Sequence, residues 1–394
     1  MNIPIAKTYL KEDEINSVLE PLKSGWLVQG PKVKEFENEW CKFTGAKHSI
    51  AVTSCTSALH LSLIALGFKP GDEAIVPAFT WISTANVVQQ LQGKVIFADI
   101  ELNSFNIDIE KLESYITPKT KVILPVHLFG LSADIERIKA IARKYNLAIV
   151  EDAACGFGAT FNGQHVGTFG DTGCFSFHPR KAITTGEGGM VTTNDTILAD
   201  KIKCLRDHGS SISDLQRHQG PKPYLLADHI EAGYNQRMTD IQGALGLAQM
   251  NRAASIIKER RALAFIYNES FQEIDWLRTP QIKEGYSHGF QSYACLFRSD
   301  EVEKAISNND FKTLEVIHKD RNTWMEFLQN KGISTRPSTH AVHMLTFYRE
   351  NYKIKPKDFP YSFAANNCSI SLPLFNGMTK EEQQYVIDIV KQGY

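Results

Sequence analysis

An α/β fold, with a large domain on a mostly parallel mixed sheet and a smaller α+β domain at the carboxyl end, is what this sequence predicts, and three observations predict it. Short apolar runs alternate with helix-length stretches from about residue 48 to 195. The chain has 394 residues, more than one ordinary core holds, so two domains are expected. Beyond about Asn251 the rhythm changes to charged helices with a few strands between them. The expected division is therefore residues 1–250, including an N-terminal segment, and residues 251–394.

In order, the expected strands of the large domain are 49–53, 73–77, 94–100, 121–126, 147–151, 174–177 and 190–193. Their near-continuous apolar character is that of strands covered on both faces, as a parallel sheet requires. Open sheets of this kind bind ligands at the carboxyl ends of their strands, which directs attention to Thr53, Pro77, Asp99, Val126 and Asp152. Residues 210–226 are polar and carry Gly and Pro, as a surface loop does. The smaller domain should hold a long charged helix at 258–271, a strand at 291–297, a helix around 321–331, a strand at 369–372 and a last helix at 380–391.

The formal net charge of −1 and pI near 6.9 give no electrostatic footprint for nucleic acid or an anionic membrane. Residues 1–9 lack a basic stretch followed by an apolar one, and no apolar run approaches the ~20 residues that span a bilayer. A cytoplasmic protein is expected. The seven cysteines are scattered and never spaced C-x-x-C, so neither a disulfide framework nor a zinc site is indicated.

The chemistry gathers around Lys181. It ends the run Phe175-Ser176-Phe177-His178-Pro179-Arg180-Lys181 and is followed by Thr184-Thr185-Gly186-Glu187-Gly188-Gly189. An earlier strand closes on Val150-Glu151-Asp152. An amine able to form a Schiff base and an aspartate able to pair with a protonated pyridine nitrogen are what pyridoxal 5'-phosphate (PLP) asks of a protein, because that cofactor works as an electron sink. Ser54-Cys55-Thr56-Ser57 opens an apolar helix after the first strand, where hydroxyls and free backbone N–H groups can hold a phosphate. Ser176 adds a further hydroxyl, and Trp81, just beyond the second strand, offers a face on which a flat ring can stack. Singly, these residues have ordinary explanations as a helix cap, a solvated lysine and a core indole. In combination they point to PLP. The glycines at 186–189 fit neither the dinucleotide pattern, which would need a glycine at Val191, nor a P-loop; they suit a tight turn beside the cofactor.

The chain resembles the DegT/DnrJ/EryC1/StrS sugar aminotransferases, PLP enzymes of aminotransferase fold type I, almost from end to end. The resemblance is carried by Ser24-Gly25-Trp26-Leu27-Val28-Gln29-Gly30-Pro31, Thr56-Ser57-Ala58-Leu59, Pro70-Gly71-Asp72-Glu73 and Pro77-Ala78-Phe79-Thr80-Trp81. It continues through Pro125-Val126-His127-Leu128-Phe129-Gly130, Glu151-Asp152-Ala153-Ala154, the Lys181 run and Gly233-Tyr234-Asn235-Gln236-Arg237-Met238-Thr239-Asp240-Ile241-Gln242. It implies that Lys181 carries the cofactor, Asp152 pairs with its ring nitrogen, Trp81 stacks on the ring, and Thr56, Ser57 and Ser176 bind the phosphate. It further implies a homodimer in which Asn235 reaches the neighbouring subunit's phosphate. Cys155 departs from the pattern: many relatives carry Gln or His there to hydrogen-bond the ring hydroxyl, and a thiol is a weak donor.

The activity this implies is transfer of an amino group from glutamate to a keto- or aldehyde-sugar. The acceptor would be a nucleotide-linked keto-hexose, such as a GDP- or dTDP-4-keto-6-deoxyhexose, or an oxidised 3-deoxy-octulosonate, on the way to surface polysaccharide or lipopolysaccharide. Trp26, Arg180, His208, Arg237, Arg336, His340 and His343 are the candidate sugar or anion contacts. No metal is expected. Two other readings compete. A PLP-dependent sugar dehydratase would carry a histidine where Lys181 stands, and a non-catalytic sensor on the same fold would need an appended reader domain, for which the pattern leaves no length.

Overall fold

Seven strands form one sheet in the order His48–Val52, Gly189–Thr193, Thr172–Ser176, Ala148–Asp152, Thr120–Ile123, Glu73–Pro77 and Lys94–Ala98, in a computed structural model that describes residues 1–394. Gly189–Thr193 is antiparallel to both neighbours, and the remaining pairs are parallel. The expected mostly parallel, mixed sheet is thus present, and its strands begin or end within a few residues of where the apolar runs placed them.

Burial explains why these runs became strands. Successive side chains point to opposite faces, so Val76, Val122 and Val150 pack with Ala58, Leu59 and Leu61 of the helix Cys55–Ala65. Ile75, Ile123 and Ile149 pack on the other face with Ile135, Ile138 and Ala142. Each such aliphatic side chain contributes about 1.5–3 kcal/mol when fully buried. The helix Cys55–Ala65 starts where it does because Ser54 is extended and its Oγ accepts the Ser57 N–H at 3.1 Å. That cap sets the helix N-terminus at the carboxyl edge of the sheet.

A second sheet, in the order Leu277–Arg278, Tyr293–Phe297 and Ser369–Leu372, packs with the helices Ala253–Phe271, Phe311–Asn330 and Lys380–Val390. Its core, built on Tyr267, Phe271, Tyr293, Phe297 and Trp324, also takes in Phe79, Val126 and Phe129 from the edge of the large sheet. Two stretches cross between the halves. Ile3 pairs with Ile333, and His340–Ala341 pairs antiparallel with Phe79–Thr80. The carboxyl half thereby sends a strand back to the edge where Asp152 lies.

Three expectations need correction. The loop at 210–226 contains a short helix, Asp214–Gln219, started by a capping box between Ser213 and Gln216, a Ser-x-x-Gln signature visible in the sequence. The helix expected at 258–271 begins at Ala253, and the one around 321–331 begins at Phe311, where Asp310 accepts the Thr313 N–H at 3.1 Å.

Candidate active site

Asp152 is the last residue of its strand and only 4 % exposed. Its Oδ2 accepts from Thr84 Oγ1 at 2.7 Å and its Oδ1 from the Ala154 N–H at 3.1 Å. Both donors are neutral. A carboxylate taken out of water without a cation is costly, so this position calls for a positive group that the surrounding side chains do not supply. A protonated pyridine nitrogen is such a group.

The preceding residue faces the other way and anchors the turn beyond it. Glu151 accepts the N–H groups of Gly167, Phe169 and Gly170, each at 2.7 Å, and a proton from His127 Nε2 at 2.8 Å. His127 Nδ1 accepts the Ala133 N–H at 3.1 Å, which leaves the ring proton on Nε2. Burial pushes the Glu151 carboxyl up, but the His127 contact and the loop amides outweigh it and hold the group below its ordinary value. The charge at 151 is therefore fully engaged, while that at Asp152 is not.

Lys181 is half-buried, and its Nζ donates to Cys155 Sγ at 3.2 Å. Cys155 lies in the turn that follows Asp152, so amine and acid meet over the same strand end. Two glutamines grip the lysine loop on either side. Gln291 accepts the Ala182 N–H at 3.2 Å and donates to the Arg180 carbonyl at 2.7 Å. Gln249 accepts the Thr184 N–H at 3.0 Å and donates to its carbonyl at 2.5 Å.

The hydroxyl cup lies against the same edge. A Cβ on Gly189 would stand 2.4 Å from the Ser54 carbonyl carbon, so only glycine lets this strand run so close beneath the turn that opens the helix Cys55–Ala65. Gly189 is in register with Ser176, which brings the Ser176 side of the sheet to that turn. Thr56 Oγ1 donates to Ser83 Oγ at 2.9 Å, and Ser57 Oγ lies 2.8 Å from Thr53 Oγ1. Hydroxyls at a helix N-terminus, a buried acid without a cation and a nearby amine are the donor set that PLP needs, and the residues fit it.

Trp81 is 56 % exposed and its ring is tilted 45° to that of His340, centroids 5.7 Å apart. Arg336 is half-buried and its Nε has no hydrogen-bond partner. Burial, then the charge of Arg180, pushes the Arg336 guanidinium below its ordinary value; Arg180 itself is exposed. Other candidates have partners of their own. Arg237 forms an ion pair with Asp207 at 2.8 Å and lies 3.6 Å from Asp214, so its charge is balanced. His208 adopts φ of 56° with its N–H bonded to the Tyr234 carbonyl at 2.8 Å. Trp26 Nε1 donates to the Gln29 carbonyl at 3.3 Å and meets the His218 ring edge-on. Asn235 is exposed, beside the same Asp207 backbone. His343 is a correction: it is fully buried against Phe97 and Phe359, and burial lowers its pKa to about 4, so it is a neutral core residue.

Sequence reasoning missed Ser83, Thr84, Gln249 and Gln291. Ser-Thr at 83–84 carried a faint signal, being two hydroxyls at a helix start next to Trp81, but caps look the same. The glutamines carried none.

Comparison with known proteins bears on this arrangement. Residues 8–391 match the DegT/DnrJ/EryC1/StrS aminotransferase family. The spore coat polysaccharide biosynthesis protein SpsC of Bacillus subtilis is 37 % identical over 390 residues, covering 99 % of this chain and 96 % of that protein. Among solved structures, the PLP form of Spr1654 from Streptococcus pneumoniae, assigned as a sugar aminotransferase, matches with a TM-score of 0.87 at 28 % identity, over 100 % of this chain and 98 % of that one. PseC of Helicobacter pylori, an aminotransferase involved in the biosynthesis of pseudoaminic acid, gives 0.87 at 27 % identity over 100 % and 99 % of the two chains.

Proposed function

This chain belongs to the DegT/DnrJ/EryC1/StrS aminotransferase family, and on that premise we propose that it moves the amino group of glutamate onto a keto- or aldehyde-sugar destined for surface polysaccharide or lipopolysaccharide. It is a PLP-dependent sugar aminotransferase of fold type I. The observation that carries the reading is Asp152, a buried acid with neutral donors only, beside the half-buried amine of Lys181.

PLP supplies the electron sink. Asp152 keeps the ring nitrogen protonated, since an opposite charge at close range favours the charged form. Lys181 Nζ would take the proton from the donor's α-carbon and hand it to the cofactor carbon that receives the amino group. Trp81 covers the ring, while Thr56, Ser57 and Ser176 hold the phosphate at the helix N-terminus. Cys155, at 3.2 Å from Nζ, gives this amine a soft, weakly hydrogen-bonding neighbour.

The acceptor is a nucleotide-linked keto-hexose, such as a GDP- or dTDP-4-keto-6-deoxyhexose, or an oxidised 3-deoxy-octulosonate. Either brings an anion, diphosphate or carboxylate, and guanidinium groups bind both in bidentate fashion. Arg336, without a partner at Nε, and the exposed Arg180 are our choice for it; Trp26, His208, Arg237 and His340 would line the sugar. The names of SpsC and PseC, which refer to a coat polysaccharide and to pseudoaminic acid, support this class of product. The seven cysteines are unpaired thiols, which agrees with action in the cytoplasm.

The test is a product assay of the purified enzyme with glutamate against a panel of such sugars; no amination of any of them would refute the reading. In the same assay Arg180→Ala or Arg336→Ala should raise the acceptor's KM about tenfold or more, in line with losing one charged hydrogen bond. Single-turnover amination of the cofactor by glutamate should stay near the wild-type rate. Equal slowing of that half-reaction would move these arginines to the amino donor.

The assembly we propose is a homodimer with shared sites, in which Asn235 contacts the partner's phosphate. Its exposure, together with exposed Tyr224, Leu226 and Ile230 on the neighbouring loop, supports this. Mixing Lys181→Ala with Asn235→Ala chains should restore activity, because one site in each mixed dimer keeps both residues. Verified subunit exchange without recovery would mean that Asn235 serves its own chain.

A further inference from the structure

The helix Ser83–Gln90 begins two residues after Trp81, and the first turn reaches both ends of the site. Ser83 Oγ accepts from Thr56 Oγ1 at 2.9 Å, at the phosphate cup. Thr84 Oγ1 lies 2.7 Å from Asp152 Oδ2, 3.1 Å from the Trp81 carbonyl and 3.4 Å from Thr80 Oγ1. Thr84 is fully buried, so no water competes for its hydroxyl. A hydroxyl has one proton to give. The ionised acceptor at 2.7 Å takes it ahead of the neutral carbonyl, because charge-assisted hydrogen bonds are shorter and roughly twice as strong. This is the shortest bond that Asp152 receives; Ala154 N–H stands at 3.1 Å and Cys55 Sγ at 4.0 Å from the other oxygen.

We infer that Thr84 is a positioning residue for the transamination, holding Asp152 ionised and aimed so that the proton between it and the cofactor stays on the ring nitrogen. The inference rests on the PLP reading above. A hydrogen bond to the charged form of an acid favours that form. Without the Thr84 hydroxyl, the carboxylate becomes a stronger base and is free to turn. The shared proton then moves from the ring nitrogen to Asp152 Oδ, and the ring, now neutral, withdraws electrons less well. Trp81, Ser83 and Thr84 lie within one turn, so ring face, phosphate end and nitrogen end are all set by a single rigid element.

Thr84→Val keeps the volume and removes the hydroxyl, and Thr84→Ser keeps the hydroxyl. Each is reconstituted with PLP carrying nitrogen-15 in its ring and read by the chemical shift of that nitrogen, beside the glutamate half-reaction and the melting temperature. Wild type and Thr84→Ser should show a protonated nitrogen. Thr84→Val should shift toward the unprotonated position while still binding PLP, with the half-reaction about tenfold slower. Thr84→Ala carries the same test should the valine variant not fold. A protonated shift and wild-type rate in the variants lacking the hydroxyl would overturn the inference and leave Thr84 a packing residue. Wild-type protein that attaches no PLP at Lys181 would instead sink the functional reading, and this inference with it.

Discussion

Lys181→Ala is expected to abolish transamination, lowering turnover by about 10³-fold or more, because both covalent attachment of the cofactor and proton transfer at the substrate carbon use the same nitrogen. The variant should still fold. Lys181 Nζ makes one weak contact, to Cys155 Sγ, and the loop around it is held by Gln249 and Gln291 through backbone groups that alanine keeps. Wild-type protein should be yellow, and borohydride should fix the cofactor irreversibly by reducing its carbon–nitrogen double bond to the lysine. Peptide mass spectrometry locates the adduct. An adduct on another lysine, or full activity in the alanine variant, would show the site to be misassigned.

Asp152→Ala should cost about 10²–10³-fold in turnover, the usual loss when one preorganised charge at the reacting centre is removed. Its effect on folding should be far smaller, because the folded chain gains little from a buried carboxylate whose donors, the Thr84 hydroxyl, the Ala154 N–H and a distant Cys55 thiol, are all neutral. The competing account makes Asp152 a capping group for the turn after its strand. On that account alanine costs about 1 kcal/mol of stability and leaves turnover alone. Turnover measured beside the melting temperature separates the two, and normal turnover with a slightly lower melting temperature would reject the catalytic role.

Sequence alone determined what depends on neighbours along the chain. The apolar runs that became Glu73–Pro77 and Ala148–Asp152 were legible because a strand covered on both faces must be apolar almost throughout. Asp152 at a strand end, hydroxyls at a helix start and Lys181 ahead of a glycine turn are likewise patterns within one element and its flanks. Tertiary structure decided which of these patterns meet, and with what. It joined Thr84 to Asp152, matched Arg237 to Asp207, sank His343 into the core and left Arg336 without a partner at Nε. The physical reason is the strand order. Gly189–Thr193 inserts between the first strand and Thr172–Ser176, and His340–Ala341 returns to Phe79–Thr80 from the far half of the chain. Local periodicity records the face a residue turns inward, but the partner it finds there is chosen by how elements distant in sequence pack together.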